Sequence, residues 1–340
     1  MEALWVGIDI AKATFTASNW NAATQSCNYL GEFENTTTGC EQLQQQLTVC
    51  QQSEQPLHVV LESTGGYEQT VVAFAFKQQW GVCIPNAKIV RDFARGSGRR
   101  HKNDREDANM LARFGAEKTP TAQRALPAEI QQLQQLQQRR QQLEKLLRAE
   151  RTRLLQFEQL PLQSDFVGDS IHAVMAALQS QLDAVVAAIS ALLNDFAEHK
   201  AMVKRLRTIP GVGSKNSLPI FLLLHRFAAR TNDQGTRKGI VAFCGLDPLE
   251  HSSGRSVHKR PTISKMGDRS VRNYLYMGAL GGIRGNNALR HFYHSLVNRG
   301  KAKRLALVAY ARKILVWAFA IFTSKTDFDP SKHPLPQSAS

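Results

Sequence analysis

Four carboxylates stand where acidic side chains are costly unless they have work to do. Asp9 lies inside the apolar run Leu4-Trp5-Val6-Gly7-Ile8-Asp9-Ile10, where a lone charge must be paired or bound to metal. Glu62 closes a second apolar run, Leu57 to Leu61, just before Ser63-Thr64-Gly65-Gly66, where the chain must turn sharply. Asp104 and Asp107 are three apart on a predicted helix and so share one face. Glu106, between them, points roughly 100° away from Asp107 and is left out of the set. Singly, a strand-end Asp is more often a turn former, and a helical Asp pair is usually a solvated face. Together the four suggest hard oxygen ligands converging from separate elements, a set that suits Mg²⁺. Two such ions would stabilise both the attacking and the leaving oxygen of a phosphoryl transfer.

Cations and hydroxyls form the second group. Arg99, Arg100 and Lys102, with Arg91, Arg95 and His101, lead into the Asp104 helix and could hold a phosphate backbone or simply form a basic loop. Ile209-Pro210-Gly211-Val212-Gly213-Ser214-Lys215-Asn216-Ser217 reads as the turn of a helix-hairpin-helix element. Backbone N–H groups around Gly211, Gly213 and Lys215 could there bind a phosphate. Ser217 departs from that motif, which usually has a small apolar residue at this position. Further on, Ser252, Ser253 and Ser256 read as part of a flexible loop, near Arg255, His258, Lys259, Arg260, Lys265, Arg269 and Arg272. A hydroxyl among so many cations lies where a phosphodiester would sit. Composition does not say which serine reacts, or whether any does.

The elements that position these residues follow from hydrophobic pattern. Leu4–Ile10, Thr14–Ser18, Asn28–Phe33, Leu57–Leu61 and Val82–Pro85 read as strands. Segments 37–49, 67–79, 86–95 and 104–117 read as helices. The order βββαβαβα fits an RNase H-like α/β domain, a mixed sheet with helices on its faces. From Ile130 a Gln-rich helix carries Leu133, Leu136, Leu143, Leu147, Leu154 and Phe157. After a break at Pro161 to Gly168, a second shows Ile171, Met175, Leu178, Leu182, Val185, Ile189, Leu192 and Phe196 at alternating steps of four and three. That heptad pattern predicts a coiled-coil hairpin that spaces domains or pairs protomers; an internal helical bundle is the plainer reading. The expected division is an α/β domain over 1–120, the hairpin over 121–204, a helical domain over 205–330 and a flexible tail over 331–340.

Composition narrows the partners. The chain has 340 residues, 43 Lys and Arg against 28 Asp and Glu, and a net charge of +15. The excess is concentrated: residues 201–340 hold 24 basic and 6 acidic side chains. An even solubilising charge would not cluster so, and nucleic acid is the expected polyanion. Five scattered cysteines without a C-x-x-C pair argue against a disulfide framework and suit a reducing cytoplasm. No signal peptide is read at Met1-Glu2-Ala3-Leu4. The apolar stretch Leu305–Phe322 has Arg312 and Lys313 at its centre and reads as a buried helix rather than a membrane span.

Taken with their order and spacing, these segments resemble the transposases of the insertion-sequence-110 family, which include the Piv-type DNA invertases. The resemblance rests on Gly7-Ile8-Asp9-Ile10-Ala11-Lys12, Glu62-Ser63-Thr64-Gly65, Asn103-Asp104-Arg105-Glu106-Asp107-Ala108 and Ile209-Pro210-Gly211-Val212-Gly213. It continues through Phe243-Cys244-Gly245-Leu246-Asp247-Pro248, Ser253-Gly254 and Ser264-Lys265-Met266-Gly267. It implies a RuvC-like N-terminal domain whose DEDD ligands are Asp9, Glu62, Asp104 and Asp107, and a C-terminal domain whose nucleophile is Ser253. It also implies a bacterial, nucleoid-associated recombinase, acting as a dimer or tetramer, that excises and inserts its own element. An element-encoded non-coding RNA would pair with target and donor DNA, and a serine from another subunit would complete the Mg²⁺ site. Two other readings stay open on the residues: a RuvC-like structure-specific endonuclease using water, and a non-catalytic nucleic-acid-binding protein.

Overall fold

A computed structural model describes residues 3–51, 55–97, 103–253, 257–285 and 287–332. Arg99, Arg100, Lys102, Arg255, Ser256 and the tail beyond 332 lie outside the described residues. The chain divides into two compact units. One comprises residues 1–125 with 228–234, the other 126–227 with 235–340.

The first unit is built on β1 (Leu4–Ile10), β2 (Thr14–Asn21), β3 (Ser26–Glu34), α1 (Thr37–Cys50), β4 (Leu57–Leu61), α2 (Gln69–Lys77), β5 (Gly81–Cys83), α3 (Ala87–Gly96) and α4 (Asp104–Lys118). Its five strands lie in the order β3-β2-β1-β4-β5. β1 pairs antiparallel with β2 and parallel with β4, so the sheet is mixed as expected. Both faces of the sheet carry their own apolar cluster, which is why β1 is an almost unbroken apolar run rather than an alternating one. Val6, Ile8, Val59 and Leu61 join Leu43 and Val71 in one cluster, while Trp5 and Val60 join Leu111 and Phe114 in the other.

Two strands run further than their polar ends suggested. β2 continues through Trp20 and Asn21, which pair with Cys27 and Ser26. Asn21 Oδ1 accepts the Ala23 and Thr24 N–H groups, at 3.0 and 3.3 Å, and closes the turn. Such a side chain replaces a backbone acceptor, which is why Asn favours this place.

The second unit contains α5 (Ala128–Phe157), α6 (Asp165–Asp195), α7 (Ala197–Leu206), α8 (Ser217–Thr231), α9 (Arg237–Cys244), β6 (Pro248–Ser253), β7 (Val257–Ile263), α10 (Arg269–Gly282), α11 (Ala288–Asn298) and α12 (Lys303–Ser324); the last residues of α8 cluster with the first unit. α5 and α6 pack along each other, and the heptad residues of α6 from Ile171 to Leu192 are sheltered, whereas Phe196 just past its end is exposed. Leu133, Leu143, Leu147 and Ile189 are buried, and Met175, Leu178, Leu182 and Val185 are half-buried. Among the described residues α6 and α12 are both long and apolar enough to cross a membrane by length and composition. α12 is instead a core helix whose Leu307, Tyr310, Ile314 and Leu315 are buried. Its Lys313 lies over the Phe292 ring, 4.2 Å from the centroid, which gives the cation a partner inside an apolar helix.

The segment bearing the serines differs from expectation. It is a two-stranded hairpin, β6 against β7, with Ser253 opposite Val257. Ser253 and Val257 close the pairing, so the backbone hydrogen bonds of the strands, rather than loop freedom, set where Ser253 sits.

Candidate active site and nucleic-acid surface

The β1–β4 register brings the first two carboxylates side by side. Gly7 pairs with Val60 and Ile8 with Leu61, so Asp9 on β1 and Glu62, the residue that follows β4, come next at the same end of the pair. Alternation along a strand puts Gly7, Asp9, Val60 and Glu62 on one face, the face covered by α4. That helix begins with Asp104, with Asn103 Oδ1 accepting the Glu106 N–H at 2.7 Å as its cap. Its first turn holds Asp104, Glu106 and Asp107, where the helix dipole favours negative charge. Glu106 Oε1 accepts from the Asn109 amide at 3.5 Å.

Gly7 makes the approach possible. A Cβ there would collide with the Ala108 carbonyl oxygen and the Ala112 N–H. With no side chain in the way, α4 rests on β1 and its acidic first turn reaches the strand ends. The electrostatic result appears at Asp9. Burial, and then the charges of Asp107, Asp104 and Glu62, push its carboxyl up from 3.8 to about 6, against a lowering hydrogen bond from the Ile10 backbone. A carboxylate raised by burial and by three like charges is poised to accept a cation. The oxygen-only donor set fits a hard divalent ion. Among the described residues no three His, Cys, Asp or Glu side chains stand close enough to share one ion, so the carboxylates would have to draw inward around it.

Two residues that sequence reasoning passed over brace this end of the sheet. Glu68 is only 5% exposed. Its carboxylate accepts from Thr64 N (3.1 Å), Thr64 Oγ1 (3.0 Å), Gly66 N (2.8 Å) and Ser63 Oγ (3.3 Å). Burial alone would raise its pKa, but backbone and side-chain hydrogen bonds outweigh that and hold it below the usual carboxylate value. Gly65 and Gly66 both have positive φ, 80° and 125°, so the turn after Glu62 needs glycine and an internal anchor. Asn35 Nδ2 donates to Tyr67 O (2.9 Å) and Ala11 O (3.2 Å), tying that turn to the one after Asp9. The Ser-Thr-Gly-Gly run before Glu68 signals a turn in the sequence but not that the acid is buried beneath it.

In the second unit, Gly211, Gly213 and Lys215 lie in the connection between α7 and α8. Asn216 fixes it, accepting the Gly213 N–H at 2.6 Å and donating to Gly211 O at 2.9 Å. Ser217, the departure from motif, is fully buried, and its hydroxyl accepts Arg207 Nε at 3.1 Å. Lys265, Arg269 and Arg272 line a recess of about 490 Å³ with Tyr276. Arg272 is also structural, donating from Nη1 to Cys244 O at 2.9 Å. Gly245 and Gly267 pack backbone to backbone, and the Ser264 hydroxyl meets Asp247, so the Phe243–Asp247 and Ser264–Gly267 segments form one support beneath the hairpin. Ser253, Lys259 and Arg260 are placed by their backbones only.

Comparison with known proteins identifies the family. Residues 6–159 match a DEDD-type family model described as a transposase, and residues 203–294 match one described as the transposase IS116/IS110/IS902 family. The chain is 30% identical over 336 residues to the pilin gene-inverting protein of Moraxella lacunata, covering 98% of this chain and 100% of that protein. It is 30% identical over 340 residues to the pilin gene-inverting protein of Moraxella bovis, with the same coverage of each. An uncharacterised 43.6 kDa protein of insertion element IS110 from Streptomyces coelicolor is 26% identical over 165 residues, 48% of this chain and 38% of that protein. The chain belongs to the IS110 family of transposases, enzymes of the DNA recombinase class for which a divalent metal ion is implied.

Proposed function

We propose that this transposase cleaves and rejoins DNA by attack of Ser253 on a phosphodiester beside a divalent ion held by Asp9, Glu62, Asp104 and Asp107. The observation that carries the reading is the elevated Asp9 carboxyl, raised by burial and by the other three acids of the set. When bound, the ion, which we take to be Mg²⁺, would polarise the phosphate and stabilise the oxygens that gain charge. The serine Oγ forms a bond to phosphorus as its proton passes to solvent or a base, and the bond from phosphorus to the 3′ oxygen breaks. A phosphoserine link and a free 3′-hydroxyl result, so the reverse attack rejoins strands without ATP. Arg255, His258, Lys259 and Arg260 flank the serine in sequence and would offset charge on the phosphate oxygens.

Several finer assignments belong to the same reading. The first 120 residues act as a RuvC-like, RNase H-like domain, and 121–204 as a coiled-coil hairpin. Residues 205–330 form a transposase domain whose α7–α8 connection serves as a helix-hairpin-helix phosphate site. Family resemblance supports a guide RNA encoded by the element, a dimer or tetramer, and a serine contributed by a second subunit. The basic excess over 201–340 supports contact with DNA and RNA.

The experiment is strand cleavage of labelled element-end DNA. Wild type should cleave with Mg²⁺, stop in EDTA and recover when the ion is restored. Asp104→Ala and Asp107→Ala should fold, bind DNA and leave it intact. Full cleavage by either variant overturns the carboxylate assignment.

A further inference from the structure

A cleft of about 800 Å³ opens within the second unit, lined by α5, α6, the glycine connection before α8, and α10. Arg140, Arg148 and Arg151 enter it from one face of α5, as their spacing of eight and three dictates. Lys215 enters from the glycine connection. Arg140 is already held by Glu144 at 3.0 Å, while Asp183, also in the lining, accepts only from the neutral Gln179 amide at 2.9 Å and keeps its charge. Among the described residues Arg148, Arg151 and Lys215 have no ion-pair partner. Three cations therefore converge, from parts of the chain more than sixty residues apart, in excess of the single Asp183 carboxylate.

The rest of the lining has a different character. A Cβ on Gly213 would meet nothing within 4 Å, so the connection presents bare backbone to the opening. Tyr274 and Met277 form an apolar wall. Tyr274 is held from behind by Gln137, which is 4% exposed and reaches its hydroxyl with Nε2 at 3.5 Å. Met277 is 54% exposed and so presents its thioether to the opening. Cations together with an aromatic ring and a thioether in one lining match the two halves of a nucleotide, its phosphate and its base. Bases in a duplex are stacked on one another and cannot reach such a wall, whereas bases of a single strand can.

We propose that this cleft binds a single-stranded stretch of nucleic acid, its phosphates on Arg148, Arg151 and Lys215 and a base against Tyr274 and Met277. The assignment rests on the reading of the chain as a nucleic-acid enzyme but not on its carboxylates or serine. Single strands of DNA and of RNA share this chemistry, and the test separates them.

The test is fluorescence anisotropy of the full chain in EDTA, with labelled single-stranded DNA, single-stranded RNA and duplex DNA of equal length. The double variant Arg148→Ala, Arg151→Ala should lose about tenfold or more in single-strand affinity. Its salt dependence should be shallower by about 1.4 in log–log slope, at roughly 0.7 per lost phosphate contact. Tyr274→Leu should lose about fivefold to tenfold with the salt slope unchanged, since stacking carries no counterion release. Arg139→Ala with Arg153→Ala, the same charge change on the same helix outside the cleft, should have a much smaller effect. A preference for one strand type in the wild type, abolished by the cleft variants, upholds the site and names its source. Equal losses in the two double variants, a loss confined to duplex, or equal competition by polyglutamate overturns it. Because cleavage is suppressed throughout, these outcomes stand apart from any failure of the carboxylate reading.

Discussion

Gly7 of the central strand lies against the backbone carbonyl of Ala108, with no room for a methyl group between them. This one contact sets how near the acidic first turn of α4 comes to Asp9 and Glu62. In the Gly7→Ala protein α4 should be pushed off β1, at a cost of about 1–3 kcal/mol for overpacking. The informative readout is local. The Asp9 carboxyl, followed by NMR titration, should fall from about 6 toward its ordinary value as Asp104 and Asp107 recede, and cleavage should drop sharply. An unshifted Asp9 in a folded Gly7→Ala protein would separate the glycine from the site.

Glu68 should behave as a positioning residue. Replacing it with Gln exchanges one of the two accepting oxygens for an NH2 donor, so part of the four-donor set loses its acceptor, at roughly 1–3 kcal/mol. Hydrogen exchange at the Thr64 and Gly66 amides should speed up, and cleavage should fall while DNA binding holds. Since the folded Glu68 pKa lies below its ordinary value, its contribution is present at neutral pH and is lost as pH falls through the lowered value. Unchanged exchange at both amides in Glu68→Gln would show that the turn holds itself.

Asp9 carries the opposite sign. A carboxyl raised from 3.8 to about 6 costs stability when ionised, so that cost is full above pH 6 and vanishes below pH 4. Two pKa units correspond to roughly 3 kcal/mol, which solvent screening at a half-open site reduces to on the order of 1 kcal/mol. In EDTA, Asp9→Asn should therefore melt higher than wild type at pH 7.5, with the difference closing by pH 4. Mg²⁺ should raise the melting temperature of wild type and leave that of Asp9→Asn unmoved. Equal melting temperatures for the two proteins at pH 7.5 in EDTA would contradict crowding of negative charge at Asp9.

Much of the first unit could be read in the sequence because its strands are short, apolar and bounded by turn residues. Asp9 is the lone charge in such a run, and the heptad steps from Ile171 to Leu192 match the sheltered positions of α6. What escaped shares a cause. Glu68 looks like an ordinary acid before a helix, and only the fold shows it buried beneath its own turn. Asn35 ties together two turns that lie far apart in sequence. The cleft arginines, Lys215 and Tyr274 come from three distant segments, and no local pattern announces their meeting. The Ser253 hairpin was missed because its strands are polar and carry none of the apolar alternation that marks a half-buried strand.

Covalent attachment of the protein to DNA tests the account at its centre. Labelled element-end DNA is incubated with Mg²⁺, resolved on a denaturing gel, and the DNA-bearing peptide is mapped. Wild type should give an adduct at Ser253, and Ser252→Ala should retain it. Ser253→Ala should bind the same DNA yet give neither adduct nor cleavage. Cleavage or an adduct that persists in Ser253→Ala would contradict serine attack at this position.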